Sequence, residues 1–123
     1  MDGTRLTKDE LGRWGEDLAA RHLEDTGLVV IARNWRCREG ELDIVAADTD
    51  GRLVICEVKT RSGTGYGLPA EAVTAGKRRK LRRLAQLFAG EYGRGWMSFR
   101  FDVVSVLAPP GATPTITHLA EAF

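Results

Sequence analysis

The sequence predicts an α/β fold in which a central mixed β-sheet is flanked by helices. Three observations carry that expectation. A helical pattern of apolar residues opens the chain and a longer one follows residue 69; strand-like runs lie between and after them; and two of those runs are joined by Asp48-Thr49-Asp50-Gly51, a strong turn signal. The order is helix, strand, hairpin, long helix, strand. Packing helices across a sheet is the natural way for such elements to bury their apolar faces.

The first helix is expected to start near Thr7, because Thr7 with Glu10 three positions later fits a capping box. Leu11, Trp14, Leu18, Ala19 and Leu23 recur at helical spacing, and Gly27 is the expected stop. Leu28 to Ile31 reads as an opening strand, and the polar stretch from Asn34 to Gly40 as a turn. Glu41 to Ala47 and Arg52 to Thr60 then form an antiparallel hairpin about the Asp-Gly turn. Gly63, Gly65 and Gly67 mark a mobile or tightly bent loop, with Tyr66 read as an ordinary loop aromatic in preference to a base-stacking residue of a loop that closes on substrate. A second helix is expected from Pro69 or Ala70 to about Tyr92, with Val73, Leu81, Leu84, Leu87 and Phe88 on its apolar side. Met97 to Leu107 is the clearest strand, with Phe99, Phe101 and Val103 on one face, and Pro109-Pro110-Gly111 ends it. Ile116 to Leu119 can add a short edge strand.

At 123 residues the chain suits one domain, with a core from about 7 to 107 and a short C-terminal extension. No run approaches the roughly 18 apolar residues of a membrane span. Met1-Asp2-Gly3-Thr4-Arg5 has no apolar run behind it, so no secretion signal is read there. Cys37 and Cys56 are too few for a disulfide framework, and Cys56 lies in an apolar strand pattern where a reduced thiol packs as a small hydrophobe. These features point to the cytoplasm. The formal net charge is +1, yet Lys77, Arg78, Arg79, Lys80, Arg82 and Arg83 fall in one short segment. That run is either a phosphate-attracting face or a solvated helix surface. Trp14, Trp35 and Trp96 read as core or dimer-contact residues, and Asp102 as a structural partner of Arg100 or another arginine.

The hairpin concentrates the chemistry. A turn at Asp48 to Gly51 puts Asp43 roughly opposite Glu57, close enough to share a cation. Glu57 and Lys59 are two apart and project from one strand face. Two adjacent carboxylates repel unless something positive joins them, and Mg²⁺ accepts such hard oxygen ligands while keeping waters. The backbone carbonyl of Val58 could add a ligand. Lys59 could orient or deprotonate an attacking water, or stabilise charge on a phosphate. The same residues also make an ordinary cross-strand salt bridge, so this spacing alone leaves both readings open. Lys77, seven before Leu84, points along the buried stripe and could reach a phosphate or snorkel past the core. No nucleotide-binding glycine loop precedes a helix, and His22 and His118 form no metal-spacing motif.

Gly12-Arg13-Trp14-Gly15-Glu16, Asn34-Trp35-Arg36, Gly40-Glu41-Leu42-Asp43, Glu57-Val58-Lys59-Thr60-Arg61 and Arg100-Phe101-Asp102-Val103 occur in that order. Together, from about Leu11 to Leu107, they resemble the YraN-like family of bacterial proteins. That family is similar to the archaeal Holliday-junction resolvases and other PD-(D/E)XK nucleases. The resemblance implies a restriction-endonuclease-like core. It implies Glu16 as a helix-borne acidic residue, Asp43 as the strand-borne metal ligand, and Glu57 with Lys59 as the E-x-K pair. Leu42 stands where the superfamily's usual proline would be.

The expected activity is Mg²⁺-dependent (or Mn²⁺-dependent) hydrolysis of DNA phosphodiester bonds, in branched or otherwise structured DNA. Glu16, Asp43, Glu57 and Lys59 are the catalytic candidates. Asp43, Glu57, the Val58 carbonyl and Glu16 are the metal candidates. Arg61, Lys77, Arg78, Arg79, Lys80, Arg82 and Arg83 are the nucleic-acid candidates, suited to salt-sensitive backbone contacts. Resolvase-like enzymes imply a homodimer. Two alternatives stay open: a nucleic-acid-binding module without catalysis, and a dimeric protein-interaction scaffold whose acidic cluster is an ion-pair network.

Overall fold

Helix α1 (Lys8–Asp25) is followed by strands β1 (Val29–Cys37), β2 (Gly40–Ala47) and β3 (Leu53–Arg61), helix α2 (Ala75–Tyr92), and strands β4 (Phe99–Leu107) and β5 (Thr115–Leu119). The structure is a computed structural model and describes residues 6–62, 73–92 and 98–123. The strands form one sheet in the order β1-β2-β3-β4-β5. Pairing is antiparallel except between β3 and β4, which run parallel. Parallel neighbours need a long crossover, and α2 lies within it. No helix among the described residues is long and apolar enough to cross a membrane.

The two helices cover opposite faces of the sheet. Alternation along β3 sends Val54 and Cys56 toward Ala19 and Leu23 of α1, in a layer with Ile44, Ala46, Val104 and Val106. Leu53 and Ile55 face Leu81, Leu84 and Phe88 of α2, in a layer with Val45, Phe101 and Val103. The result is a three-layer sandwich, a mixed sheet between two helices. Thr7 closes the N-terminal end of α1 with the expected capping box: its hydroxyl accepts from Glu10 N–H at 3.1 Å, and Glu10 Oε1 accepts from Thr7 N–H at 2.8 Å.

Three boundaries differ from the sequence reading. The opening strand does not stop at Ile31, and the expected turn over Asn34 to Gly40 is mostly strand. β1 pairs with β2 through Cys37↔Gly40, leaving only Arg38 and Glu39 as the turn. β1 lies at the sheet edge, where polar side chains reach solvent and apolar patterning fades. α2 begins at Ala75 rather than running through Val73 and Thr74, because Thr74 caps it: Lys77 N–H donates to Thr74 Oγ1 at 3.2 Å. Val73 is nonetheless buried against the α2 layer. The glycine loop with Tyr66, the Pro69 and Ala70 start, and Trp96 and Met97 lie outside the described residues. At the far end, β5 extends the sheet as an antiparallel edge on β4.

Candidate metal centre

The β2–β3 register places Val45 opposite Ile55 and Ile44 opposite Cys56, and the ladder ends there, one residue short of Asp43 and Glu57. Leu42 packs in the α2 layer and Ile44 in the α1 layer, so strict alternation is broken across Asp43. The Asp43 carboxylate takes up the next backbone donor, with Oδ2 accepting from Val58 N–H at 2.9 Å. That bond ties the side chain to β3 between Glu57 and Lys59. Asp43 consequently lines two adjoining cavities: one of about 580 Å³, shared with Glu16, Arg13, Asn34 and Thr60, and one of about 200 Å³, shared with Glu57, Lys77 and Lys80.

Glu57 is 9% exposed. Its Oε1 accepts from Lys59 Nζ at 3.3 Å and stands 2.7 Å from Lys77 Nζ. Burial, followed by the Glu57 charge, pushes the Asp43 carboxyl up to about 7. Burial and then the neighbouring Lys77 lower Lys59 from its usual range. For Lys77 burial is the largest single effect and acts downward, but the bonds to Glu57 and Lys59 and the charges of Glu57 and Asp43 together outweigh it and the net shift is upward. Among the described residues, Asp43 Oδ1 and Glu57 Oε2 accept no hydrogen bond.

Glu16 is 8% exposed and faces the larger cavity from α1. Gly15 makes this approach possible, since a Cβ there would overlap Thr60 Oγ1 and lie 2.7 Å from Thr60 Cγ2. Glu16 Oε1 is held by Asn34 Nδ2 at 2.8 Å and by Arg33 Nε and Nη2 at 3.3 Å each. Asn34 adopts a positive φ of 52° to do so. The structure thus gathers Glu57, Lys59 and Lys77 beside Asp43, and Glu16 shares the larger cavity with Asp43. No three acidic, histidine or cysteine side chains among the described residues form a ligand cage on their own. The Asp43 and Glu57 carboxylates with the Val58 carbonyl are hard oxygen donors, and with waters such a set fits Mg²⁺.

The basic run divides among several surroundings. Lys77 and Lys80 line the smaller cavity beside Glu57. The Arg78 guanidinium lies 5.3 Å from the Phe123 ring centre and donates to the Val73 carbonyl at 3.2 Å. Arg82 lies 5.0 Å from the Phe101 ring centre, and Arg83 pairs with Glu39 at 3.2 Å. Arg79 is exposed, and Arg61, on β3, donates to the Thr60 carbonyl at 3.1 Å.

Sequence reasoning missed the two donors that hold Glu16, because Asn34 fell in a supposed turn. It also missed a part-buried chain of polar side chains on the α1 face. His22 Nε2 lies 3.1 Å from His118 Nδ1, and His118 Nε2 lies 2.7 Å from Asp102 Oδ2. No local signal reveals contacts across 96 positions. Arg100 grips Asp102 through Nε and Nη2 at 2.9 and 2.6 Å, the pairing its neighbourhood suggested. Trp35 packs edge-on against Phe88, and Trp14 packs beside the α1 layer.

Known proteins resemble this chain throughout its length. A protein from Nocardia farcinica is 54% identical over 116 residues, covering 94% of this chain and 91% of its own. One from Acidothermus cellulolyticus is 47% identical, with both chains fully covered. Both carry the description UPF0102 protein. Among solved structures, a repair endonuclease from Pyrococcus abyssi has a TM-score of 0.44 at 18% identity, covering 88% of this chain. The EndoMS–dsDNA2 complex has a TM-score of 0.43 at 20% identity, covering 87%. This chain spans only 41% and 38% of those two proteins. Likeness at this level bears on no residue's role, so the side-chain geometry carries the functional reading. The pattern of the uncharacterised protein family UPF0102 matches residues 15–106, and the chain belongs to that family, the YraN-like group its motifs resemble.

Proposed function

We propose that this protein is a metal-dependent nuclease that hydrolyses DNA phosphodiester bonds, with branched or otherwise structured DNA as its substrate class. The observation that carries the reading is the juxtaposition of Asp43, Glu57 and Lys59, with the Asp43 carboxylate bonded to Val58 N–H between the other two. Asp43, Glu57 and the Val58 carbonyl would hold Mg²⁺ or Mn²⁺, which when bound acidifies a water and offsets phosphate charge. Lys59, half-buried and tethered to Glu57, holds an ammonium beside that carboxylate, where it can orient a nucleophilic water or stabilise charge on the phosphate. Glu16, fixed by Arg33 and Asn34, supplies a held acceptor in the larger cavity that Asp43 also lines. Cutting both strands calls for two such sites, so the reading carries a homodimer, measurable by sedimentation velocity.

The test incubates wild type, Asp43→Ala and Glu57→Ala with single-stranded, duplex and four-way DNA, in Mg²⁺, Mn²⁺ or chelator. Wild type cleaves at least one substrate only with metal. Each variant loses at least about 100-fold, exceeding the usual cost of disturbing a metal site's outer ligands. Absence of metal-dependent cleavage across the panel would overturn the enzymatic reading. A second reading, a DNA-binding module without turnover, is favoured by one observation: two lysines already neutralise Glu57. It predicts salt-sensitive binding by wild type and Asp43→Ala alike, with no cleavage by either.

A further inference from the structure

Glu57 Oε1 carries two ammonium partners, and the nearer comes from a different element, helix α2. Lys59 reaches it along its own strand at 3.3 Å, whereas Lys77 reaches it from the first turn of α2 at 2.7 Å. Both Lys77 and Asp43 line the 200 Å³ cavity with Glu57, so the ammonium lies within the compartment where a cation joining the two carboxylates would sit. An ammonium and a divalent cation compete for the same oxygen lone pairs. The backbone of Lys77 is fixed by its N–H bond to Thr74 Oγ1, so its long side chain can move between partners without a shift of the helix. Lys80 offers an internal comparison, because it lines the same cavity and makes no ion pair with Glu57.

We propose that Lys77 is a displaceable internal cation. It competes with the divalent metal for Glu57, and once displaced it offers its ammonium to a phosphate oxygen of the nucleic-acid backbone. This rests on the reading of Asp43 and Glu57 as metal ligands and adds a regulation of that site. Metal and phosphate binding become coupled: a phosphate that takes Lys77 frees Glu57 for the metal, and a metal on Glu57 frees Lys77 for the phosphate. Such coupling is reciprocal by linkage. Lys77 is thus a positioning residue, one that keeps the centre poorly loaded until substrate charge arrives.

The experiment measures Mn²⁺ binding to the whole chain, from the electron paramagnetic resonance signal of the free ion. Lys77→Met tightens Mn²⁺ binding at least about tenfold, equivalent to about 1.4 kcal/mol. Lys77→Arg, which keeps a cation on Glu57, stays within about threefold of wild type, and Lys80→Met tightens binding by less than Lys77→Met. Circular dichroism melts establish that each variant is folded, and Lys77→Gln stands in should Lys77→Met not fold. Unchanged or weaker Mn²⁺ binding in the neutral Lys77 variants would overturn the competition, as would equal tightening in Lys80→Met. If wild type binds Mn²⁺ and Asp43→Asn does not, the metal reading stands whatever Lys77 does. If no variant binds Mn²⁺, both fall.

Discussion

Asp102 keeps its charge inside the protein because donors converge on both of its oxygens. Burial alone would raise its pKa, but Arg100, His118 and the Glu121 amide together hold it below the usual carboxylate range. His118 Nε2–H donates to Asp102, which leaves His118 Nδ1 to accept from His22 Nε2–H when both rings are neutral. A carboxylate with a depressed folded pKa stabilises the fold fully above its unfolded value of about 4 and loses that contribution as pH falls through this range. Asp102→Asn is therefore expected to cost about 3 kcal/mol at neutral pH, since it removes the fully buried anion that the part-buried Arg100 guanidinium pairs with. Urea unfolding at pH 7 and again near pH 3 checks this. The gap from wild type narrows at the lower pH, and a constant gap would assign the cost to shape rather than charge. His22 shifts in the same direction: burial and then His118 lower its pKa, so protonating it as the pH falls likewise opposes folding.

Helix α1 brings Glu16 into the site only because Gly15 lets it lie directly on Thr60. Gly15→Ala would force a Cβ into Thr60, and the overpacking should destabilise the protein by about 1–3 kcal/mol. A Thr60→Ala partner should recover part of that loss, which a double-mutant cycle of denaturation midpoints measures. Independent losses would place the strain elsewhere. The N-terminal end of α1 depends on its capping box, and Thr7→Ala should lower stability by about 1 kcal/mol in the same assay. The helix boundaries were legible where a side chain marks them, as Thr7 and Glu10 do. The start of α2 was not, because Val73 sustains the apolar rhythm while Thr74 has already left the helix to cap it. The polar half of β1 was hidden for the opposite reason: an edge strand needs little apolar patterning to stay paired.

On the scale of the whole molecule, the basic segment of α2 is partitioned by what surrounds it. Arg78 and Arg82 rest against the Phe123 and Phe101 rings, which stack at 5.2 Å and join the chain's end to the sheet. Arg79 is exposed and Lys80 borders the cavity beside Glu57. In the proposed DNA-binding mode, Arg79→Ala with Lys80→Ala should flatten the dependence of log affinity on log salt by about 2. Fluorescence anisotropy over a salt series reads this slope, and an unchanged slope would remove these two side chains from the DNA interface.

The hairpin register and the shared face of Glu57 and Lys59 were determined by the sequence itself. Both follow from local rules, an Asp-Gly turn and the two-residue period of a strand. The α/β order was legible for the same reason, since helical and strand periods differ along the chain. Only the tertiary structure decided which helix residues meet the Asp43–Glu57 pair. Lys77 reaches Glu57 because the β3–β4 crossover lays α2 over one face of the sheet, while Glu16 meets Arg33 and Asn34 because α1 covers the other. Those meetings depend on layer packing and on residues far apart in the chain, and no local pattern encodes them.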